Sequence, residues 1–179
     1  PEMAGRIALL GDYLQEVELT NEMPDYRILR DRYGWQFTAD ILEAGSELLG
    51  DGRIKMINTT GVAGQQGGIS ANGAIENNIN CIEIISQDYG IEFNSLGVQG
   101  HGGASNSPVD YYIQFDHMAQ GIEYLANTEY DYVSDLERGS EEALHKEACH
   151  LRDYLMLFYS HPKATGFLMW GFTDKEHWR

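Results

Sequence analysis

Short apolar runs and long amphipathic ones take turns along this chain, and that alternation restricts the possible folds more than any other feature. Val17 to Asn21, Arg53 to Asn58, Ser95 to Gln99, Tyr124 to Thr128 and Thr165 to Trp170 are apolar or alternating runs, the pattern of strands. Helical spacing fills the intervals. Tyr26 to Gly50 carries Ile28, Trp35, Leu42 and Leu49 at heptad spacing, with Ile41 and Leu48 beside them, and Gly50-Asp51-Gly52 closes the helix. Ile75, Ile79, Ile82 and Ile85 mark a second helix ending near Tyr89-Gly90. Tyr112, Phe115, Ala119 and Ile122 mark a third, opened by Pro108 and Asp110. Leu144, Ala148, Leu151, Leu155 and Phe158 mark a fourth, stopped by His161-Pro162. Strands separated by helices must run parallel, because each crossover returns the chain to the same end of the sheet.

The expected strand ends lie near Glu22, Asn58, Gln99, Glu129 and Trp170, at spacings of 36, 41, 30 and 41 residues. A closed eight-stranded (β/α) barrel of about 250 residues uses roughly 31 per unit. A chain of 179 residues therefore holds five such units and not eight. The expected fold class is α/β, a partial (β/α)8 TIM barrel, with residues 1–179 forming one domain that lacks the N-terminal strands. The chain starts at Pro1 and stops at Arg179 directly after WGFTDKEHW, so both ends are expected to be cut. The Gly-rich stretch Gly61 to Gly73 reads as the one long linker.

Composition removes several classes of function. Twelve basic against 28 acidic residues leave a formal net charge of −16 with scattered cations, a poor match to nucleic acid or to an anionic membrane. Apolar stretches such as Gly166 to Trp170 are far too short to span a bilayer. Cys81 and Cys149 stand 68 residues apart without a CxxC, and the histidines form no HxH or HExxH. No metal site or cofactor is expected. His145 and His150 read as solvated surface groups, and both cysteines as small buried hydrophobes. Neither Gly61 to Gly73 nor the Gly-rich Gly97 to Gly103 continues into a helix through a phosphate-binding GxxxxGK[ST] or GxGxxG.

In a parallel barrel the chemistry collects at the C-terminal strand ends. There the chain places Asn21-Glu22, Asn58, Gln99, His101, Thr128-Glu129, Trp170 and Asp174. Two carboxylates, amides, an imidazole and an indole suit a carbohydrate: two acids flank a glycosidic bond, amides hold hydroxyls, and an aromatic face stacks on the ring. Asn58-Thr59-Thr60 matches a glycosylation sequon but reads better as part of the site floor. Glu18 and Asp131 read as supporting acids.

These residues resemble glycoside hydrolase family 10, the endo-β-1,4-xylanases. Val17-Glu18-Leu19-Thr20-Asn21-Glu22 resembles the family's acid/base strand WDVVNE, and Leu96 to His101 resembles its G-I/V-G-x-Q-x-H strand. Asn127-Thr128-Glu129-Tyr130-Asp131 resembles the nucleophile strand ITELD, and His161-Pro162 through Trp178 the ending HPxVxGxxxWGxxDxxxW. The 107 residues from Glu22 to Glu129 suit the family's separation. The resemblance implies that the five strands are the fourth to eighth of the family barrel. It further implies that Glu22 is the acid/base and Glu129 the nucleophile of a retaining double displacement on xylan. Asn21 would bind the 2-hydroxyl of the attacked sugar. His101, with Gln99 near, would orient Glu129, while Trp170 and Trp178 wall the subsite and Asn58 lies in the floor.

The sequence departs from the family in three ways. Asn58-Thr59-Thr60 replaces Asn-Asp-Tyr, Val17 replaces a Trp, and the first three strands with their HTLxWH segment are missing. The partners expected are therefore a polysaccharide and the missing N-terminal part of the same barrel. The isolated 179 residues are expected to lack significant activity, and the resemblance implies a secreted protein. Two alternatives stand beside the xylanase: a non-catalytic sugar-binding relative, and a retaining barrel glycosidase acting on β-glucan.

Overall fold

The computed structural model describes residues 2–23, 27–50, 52–59, 71–103 and 107–171. Helix α1 (Glu2–Leu10) leads through a 3-10 turn into β1 (Glu16–Asn21), followed by α2 (Arg27–Leu49) and β2 (Ile54–Thr59). Then come α3 (Ala71–Glu83), β3 (Ser95–Val98), β4 (His101–Gly103), α4 (Pro108–Met118), β5 (Tyr124–Val133), α5 (Glu141–Ser160) and β6 (Ala164–Met169). Every pairing is parallel, in the order β1, β2, β3, β5, β6, with the short β4 continuing β3 and pairing to the far half of β5. The five expected strands are all present, and the sheet of alternating β/α units is a partial TIM barrel. The opening helix α1 is an element that the sequence reading did not anticipate.

Local chemistry sets the helix starts. Ser107 accepts a hydrogen bond from the Val109 N–H at 3.3 Å, with Pro108 at the first turn of α4. Ser140 accepts from the Ala143 N–H at 3.1 Å, ahead of Glu141 and Glu142 at the positive end of α5. The outer face of the sheet buries Leu96, Val98 and Leu125 against Tyr111, Phe115, Tyr154 and Phe158 of α4 and α5. Each such side chain contributes about 1.5–3 kcal/mol by leaving water. A second cluster joins Ile57 to Leu42, Cys81 and Ile85.

Two helices differ from their periodicity. In α2, Gly34 has φ 75° and ψ 178°, a backbone region essentially restricted to glycine. The heptad is broken there: Leu42 and Leu49 are buried, whereas Ile28 is 83% exposed. In α5 Phe158 of the expected stripe is buried and Leu151 packs against the core, but Leu144 is exposed, and Ala143 and Tyr154, beside the stripe, are buried instead. Helix α3 starts at Ala71, inside the expected linker, and continues as a π-turn over Ile84–Asp88 that seats Ile85 in the core. Residues 61–70 of that linker lie outside the described residues.

The sheet has two outer edges. Beside β1 a cleft of about 730 Å³ is lined by Arg6, Ile7, Leu10, Leu14, Glu16, Val17 and Glu18. At the end of β6, Leu168, Met169 and Trp170 are exposed.

Candidate active site

Side chains at the C-terminal strand ends converge because two strands are irregular. Along β1 the register slips between Glu18 and Thr20: Glu18 faces Met56, but Thr20 faces Ile57 and Asn21 faces Asn58. Strict alternation would put Glu18 and Asn21, three residues apart, on opposite faces. The bulge returns Asn21 to the inner face, where its Oδ1 accepts from Asn58 Nδ2 and from Gln99 Nε2, both at 3.1 Å. A second slip lies between Asn127 and Tyr130 on β5. Asn127 turns outward to accept the Tyr154 hydroxyl at 2.6 Å. Thr128 and Glu129 both turn inward, Thr128 donating to Asn58 Oδ1 at 2.7 Å, and Tyr130 turns outward again to His150 at 3.0 Å.

Glu22 closes β1 with φ 54°, the single positive φ outside glycine among the described residues. Its N–H donates to the Asn58 carbonyl at 3.0 Å, and its Oε1 accepts from Gln99 Nε2 at 2.9 Å. A strained backbone held by neighbours is a recurrent device at functional sites. Glu129, 7% exposed, accepts from Asn58 Nδ2 at 2.8 Å and faces His101 Nε2 at 3.2 Å. His101 Nδ1 lies 3.0 Å from Asp131 Oδ1. Gln99 donates to both Glu22 and Asn21, while its buried Oε1 has no partner among the described residues.

Six of the expected site residues, Asn21, Glu22, Asn58, Gln99, His101 and Glu129, thus share one polar network. Trp170 stands at the rim, half exposed, with its backbone N–H donating to the Tyr130 carbonyl at 2.9 Å. Trp178, Asp174 and Thr60 lie outside the described residues. Asp131 and Thr128 take closer roles than the sequence reading gave them. The two-residue step from Glu129 to Asp131 was a usable signal for the first, whereas Thr128 depends on the bulge. Close approach of β2, β3 and β5 requires Gly97, where a Cβ would come within 2.6 Å of Asn58 Oδ1 and 2.9 Å of Thr128 Cγ2.

Two expectations away from the site are corrected. His150 is packed among Tyr111, Tyr130, Tyr132 and Tyr154 rather than solvated. Cys149 is only half-buried and sits 3.6 Å from His145 Nε2, one helical turn away.

Electrostatics in the network pull in opposite directions. Burial disfavours the His101 imidazolium, but hydrogen bonds to Asp131 and Glu129 and their charges outweigh it and raise its pKa above 6.5. Burial, with repulsion from Glu129 added and an Asn58 hydrogen bond opposing, pushes Glu18 from 4.5 up to about 6. For both groups the folded pKa exceeds the unfolded one. The linked stability is complete below the unfolded value and lost as pH rises through the folded one: from 4.5 to about 6 for Glu18, above 6.5 for His101. His161, depressed by burial, acts with the opposite sign and loses stability as pH falls below 6.5. The wild-type urea midpoint minus that of Glu18→Gln is expected to decline between pH 4.5 and 6. The difference from His101→Asn is expected to decline above pH 6.5. Flat differences would contradict both assignments.

The family model of glycosyl hydrolase family 10 matches residues 71–179. Xylanase 10B of Thermotoga petrophila RKU-1, solved with xylobiose, superposes with a TM-score of 0.79 at 17% identity, over 98% of this chain and 54% of that one. The intracellular xylanase TsXylA of Thermoanaerobacterium saccharolyticum gives 0.80 at 16% identity, over 99% and 56%. Anti-sigma-I factor RsgI6 of Acetivibrio thermocellus is 29% identical over 104 residues, which is 55% of this chain and 12% of that protein. The chain thus spans about half the length of these solved relatives and a small part of the curated one.

Proposed function

The chain belongs to glycosyl hydrolase family 10, and on that premise we propose that the complete protein is an endo-β-1,4-xylanase that cleaves xylan by a retaining double displacement. One observation carries the reading. An unbroken hydrogen-bond path runs from Glu22 through Gln99, Asn21 and Asn58 to Glu129, so two acids from different strand ends are fixed relative to one another. Retention requires two carboxyls about 5–5.5 Å apart on either side of the scissile bond. Glu129, held by Asn58 and faced by His101, is oriented as a nucleophile must be. Glu22 is the acid that protonates the leaving oxygen and then activates water. The Oε1 of Gln99, without a partner among the described residues, is an acceptor suited to a sugar hydroxyl, and Asn21 stands beside Glu22 for the 2-hydroxyl. Trp170, with Trp178, is the aromatic wall of the subsite.

The site is completed by three further β/α units seated against β1 and β6, where the apolar cleft of Ile7, Leu10, Leu14 and Val17 and the exposed Leu168 and Met169 supply the docking faces. Two open parallel edges favour association or partial unfolding of the isolated chain. The isolated 179 residues are accordingly expected to release no reducing ends from xylan. Robust hydrolysis by a monomeric preparation of this segment would overturn that expectation. Export from the cell belongs to the same proposal and is checked by cell fractionation.

A non-catalytic sugar-binding role is the second reading. It is favoured by Thr59 at a position where the family carries Asp, and by a relative named as an anti-sigma-I factor rather than a hydrolase. Initial rates of the complete protein on xylan and on β-glucan decide between the readings. Faster release from xylan supports the proposal, faster release from glucan reassigns the substrate, and binding without release supports the second reading.

A further inference from the structure

Glu129 faces the cleft only because its strand slips. Regular alternation from the outward Asn127 would send Glu129 outward as well; the irregularity between Asn127 and Tyr130 turns Thr128 and Glu129 both inward instead. Two side chains of α5, one helical turn apart, meet the two ends of that slip. Tyr154 donates its hydroxyl to Asn127 Oδ1 at 2.6 Å, and His150 Nδ1 lies 3.0 Å from the Tyr130 hydroxyl. On its other side Asn127 Nδ2 donates to the Leu168 carbonyl of β6 at 3.3 Å. A carbonyl can only accept, so a single orientation of the amide satisfies both neighbours. Asn127 is fully buried and Tyr154 is 1% exposed, so neither group can turn to water if its partner is lost. The family pattern ITELD has apolar residues at the two strand positions where this chain has Asn127 and Tyr130. The directional hold behind Glu129 therefore belongs to this chain rather than to the motif.

Resting on the double displacement proposed above, we propose that Tyr154 is a positioning residue for Glu129, acting through Asn127. The Tyr154 hydroxyl fixes the Asn127 side chain, Asn127 fixes the start of the slip between α5 and β6, and the slip aims Glu129 into the cleft. Apolar packing has no preferred direction, whereas a hydrogen bond weakens steeply once it is misaligned. Burial, with Tyr111 and Tyr130 adding to it, raises the Tyr154 pKa well above the ordinary tyrosine value. The hydroxyl therefore stays a donor at any neutral or acidic pH. The ring has a separate task, packing edge-on against Tyr111 and Phe115. Removing the oxygen alone thus releases the hold without emptying the core. Because Tyr154 lies on the helix side of the sheet, away from the cleft, the hold governs the rate of attack and not the binding of the sugar.

The test compares the complete wild-type protein with Tyr154→Phe, Asn127→Ile and the double variant, using a dinitrophenyl 2-fluoro-β-xylobioside. In that reaction a Glu129 carboxylate oxygen bonds to the anomeric carbon as dinitrophenolate leaves, so the maximal trapping rate reads the aim of the nucleophile. Tyr154→Phe is expected to slow trapping about threefold to tenfold, with the half-saturating concentration changed less than about twofold. In the Asn127→Ile background the same substitution is expected to change the rate less than about twofold, because the route through Asn127 is gone. Amide hydrogen exchange, followed by NMR, is the second readout. The Glu129 N–H, bonded to the Gln99 carbonyl at 2.9 Å, is expected to exchange at least about tenfold faster in Tyr154→Phe. The Leu125 N–H, bonded to the Lys163 carbonyl at 2.8 Å on the same strand, is expected to keep its rate. Equal slowing in both backgrounds, a lowered unfolding midpoint with unchanged trapping, or faster exchange at Leu125 and Glu129 alike would overturn the proposal. If Tyr154→Phe fails to fold, Asn127→Ile decides: slower trapping with faster Glu129 exchange supports the proposal, and wild-type values overturn it. A wild-type protein that is never trapped refutes the double displacement, and the exchange rates still decide the hold.

Discussion

Glu129→Ala in the complete protein is expected to lower xylan hydrolysis by at least about 10⁴-fold, or about 5.5 kcal/mol of transition-state stabilisation. The reason is positional. Glu129 is nearly buried, accepts from Asn58 at 2.8 Å and faces His101 at 3.2 Å, so no other carboxyl can take its place without rebuilding the network. Glu22→Ala is expected to lose a comparable factor on xylan and much less on aryl glycosides, whose leaving group needs no proton. Added azide separates the roles. In Glu22→Ala it should attack the glycosyl-enzyme and give a glycosyl azide of retained configuration; in Glu129→Ala it should replace the nucleophile and give the inverted azide. The measurement is the anomeric proton coupling in the product. Exchange of the two outcomes would reverse the assignment, and loss of rescue in both would remove the double displacement.

The second large effect concerns stability. Gly100→Ala is expected to cost at least about 2 kcal/mol. About 1–2 kcal/mol comes from a side chain at positive φ and about 1–3 kcal/mol from overpacking. Gly100 has φ 78°, and a Cβ there would overlap Asn127 Oδ1 and lie 3.0 Å from the Tyr154 hydroxyl. Asn127 cannot retreat, because it is fully buried and bound to Tyr154 and to the Leu168 carbonyl. Gly121→Ala is the control: φ is 81° but nothing lies within 4 Å, so strain acts alone and about 1 kcal/mol is expected. Denaturant midpoints of the two variants measure the difference. Equal losses would mean that close approach at Gly100 contributes nothing. Because Gly100 lies between Gln99 and His101, the same substitution should also weaken the site.

Most of the architecture was legible because burial has a period. Strands such as Ser95–Val98 and helices such as Pro108–Met118 announce themselves through apolar spacing and the Ser-Pro cap. The misreadings share one cause. Ile28 continues a perfect heptad, but Gly34 redirects the chain before that heptad can be buried. Leu144 is apolar and exposed, while the smaller Ala143 meets the core, since the rotation of α5 answers to Tyr154 and Phe158. His150, polar and on a surface helix, is enclosed by tyrosines from three other places in the chain. Periodicity records which faces want burial; it does not record what arrives to cover them.

The residues of the site divide in the same way. Motif and spacing sufficed to put Glu22, Glu129, Asn21, Gln99 and His101 together at strand ends, because chain order alone determines which end of a parallel strand is C-terminal. That Asn21 reaches the Asn58 amide and that Thr128 and Glu129 both turn inward depended on two one-residue slips in register. A bulge carries no residue signature here, for Leu19 and Thr128 are ordinary strand residues. It forms because the neighbouring strands offer a better set of hydrogen bonds to the slipped chain than to the regular one, and that choice exists only once all of them are assembled.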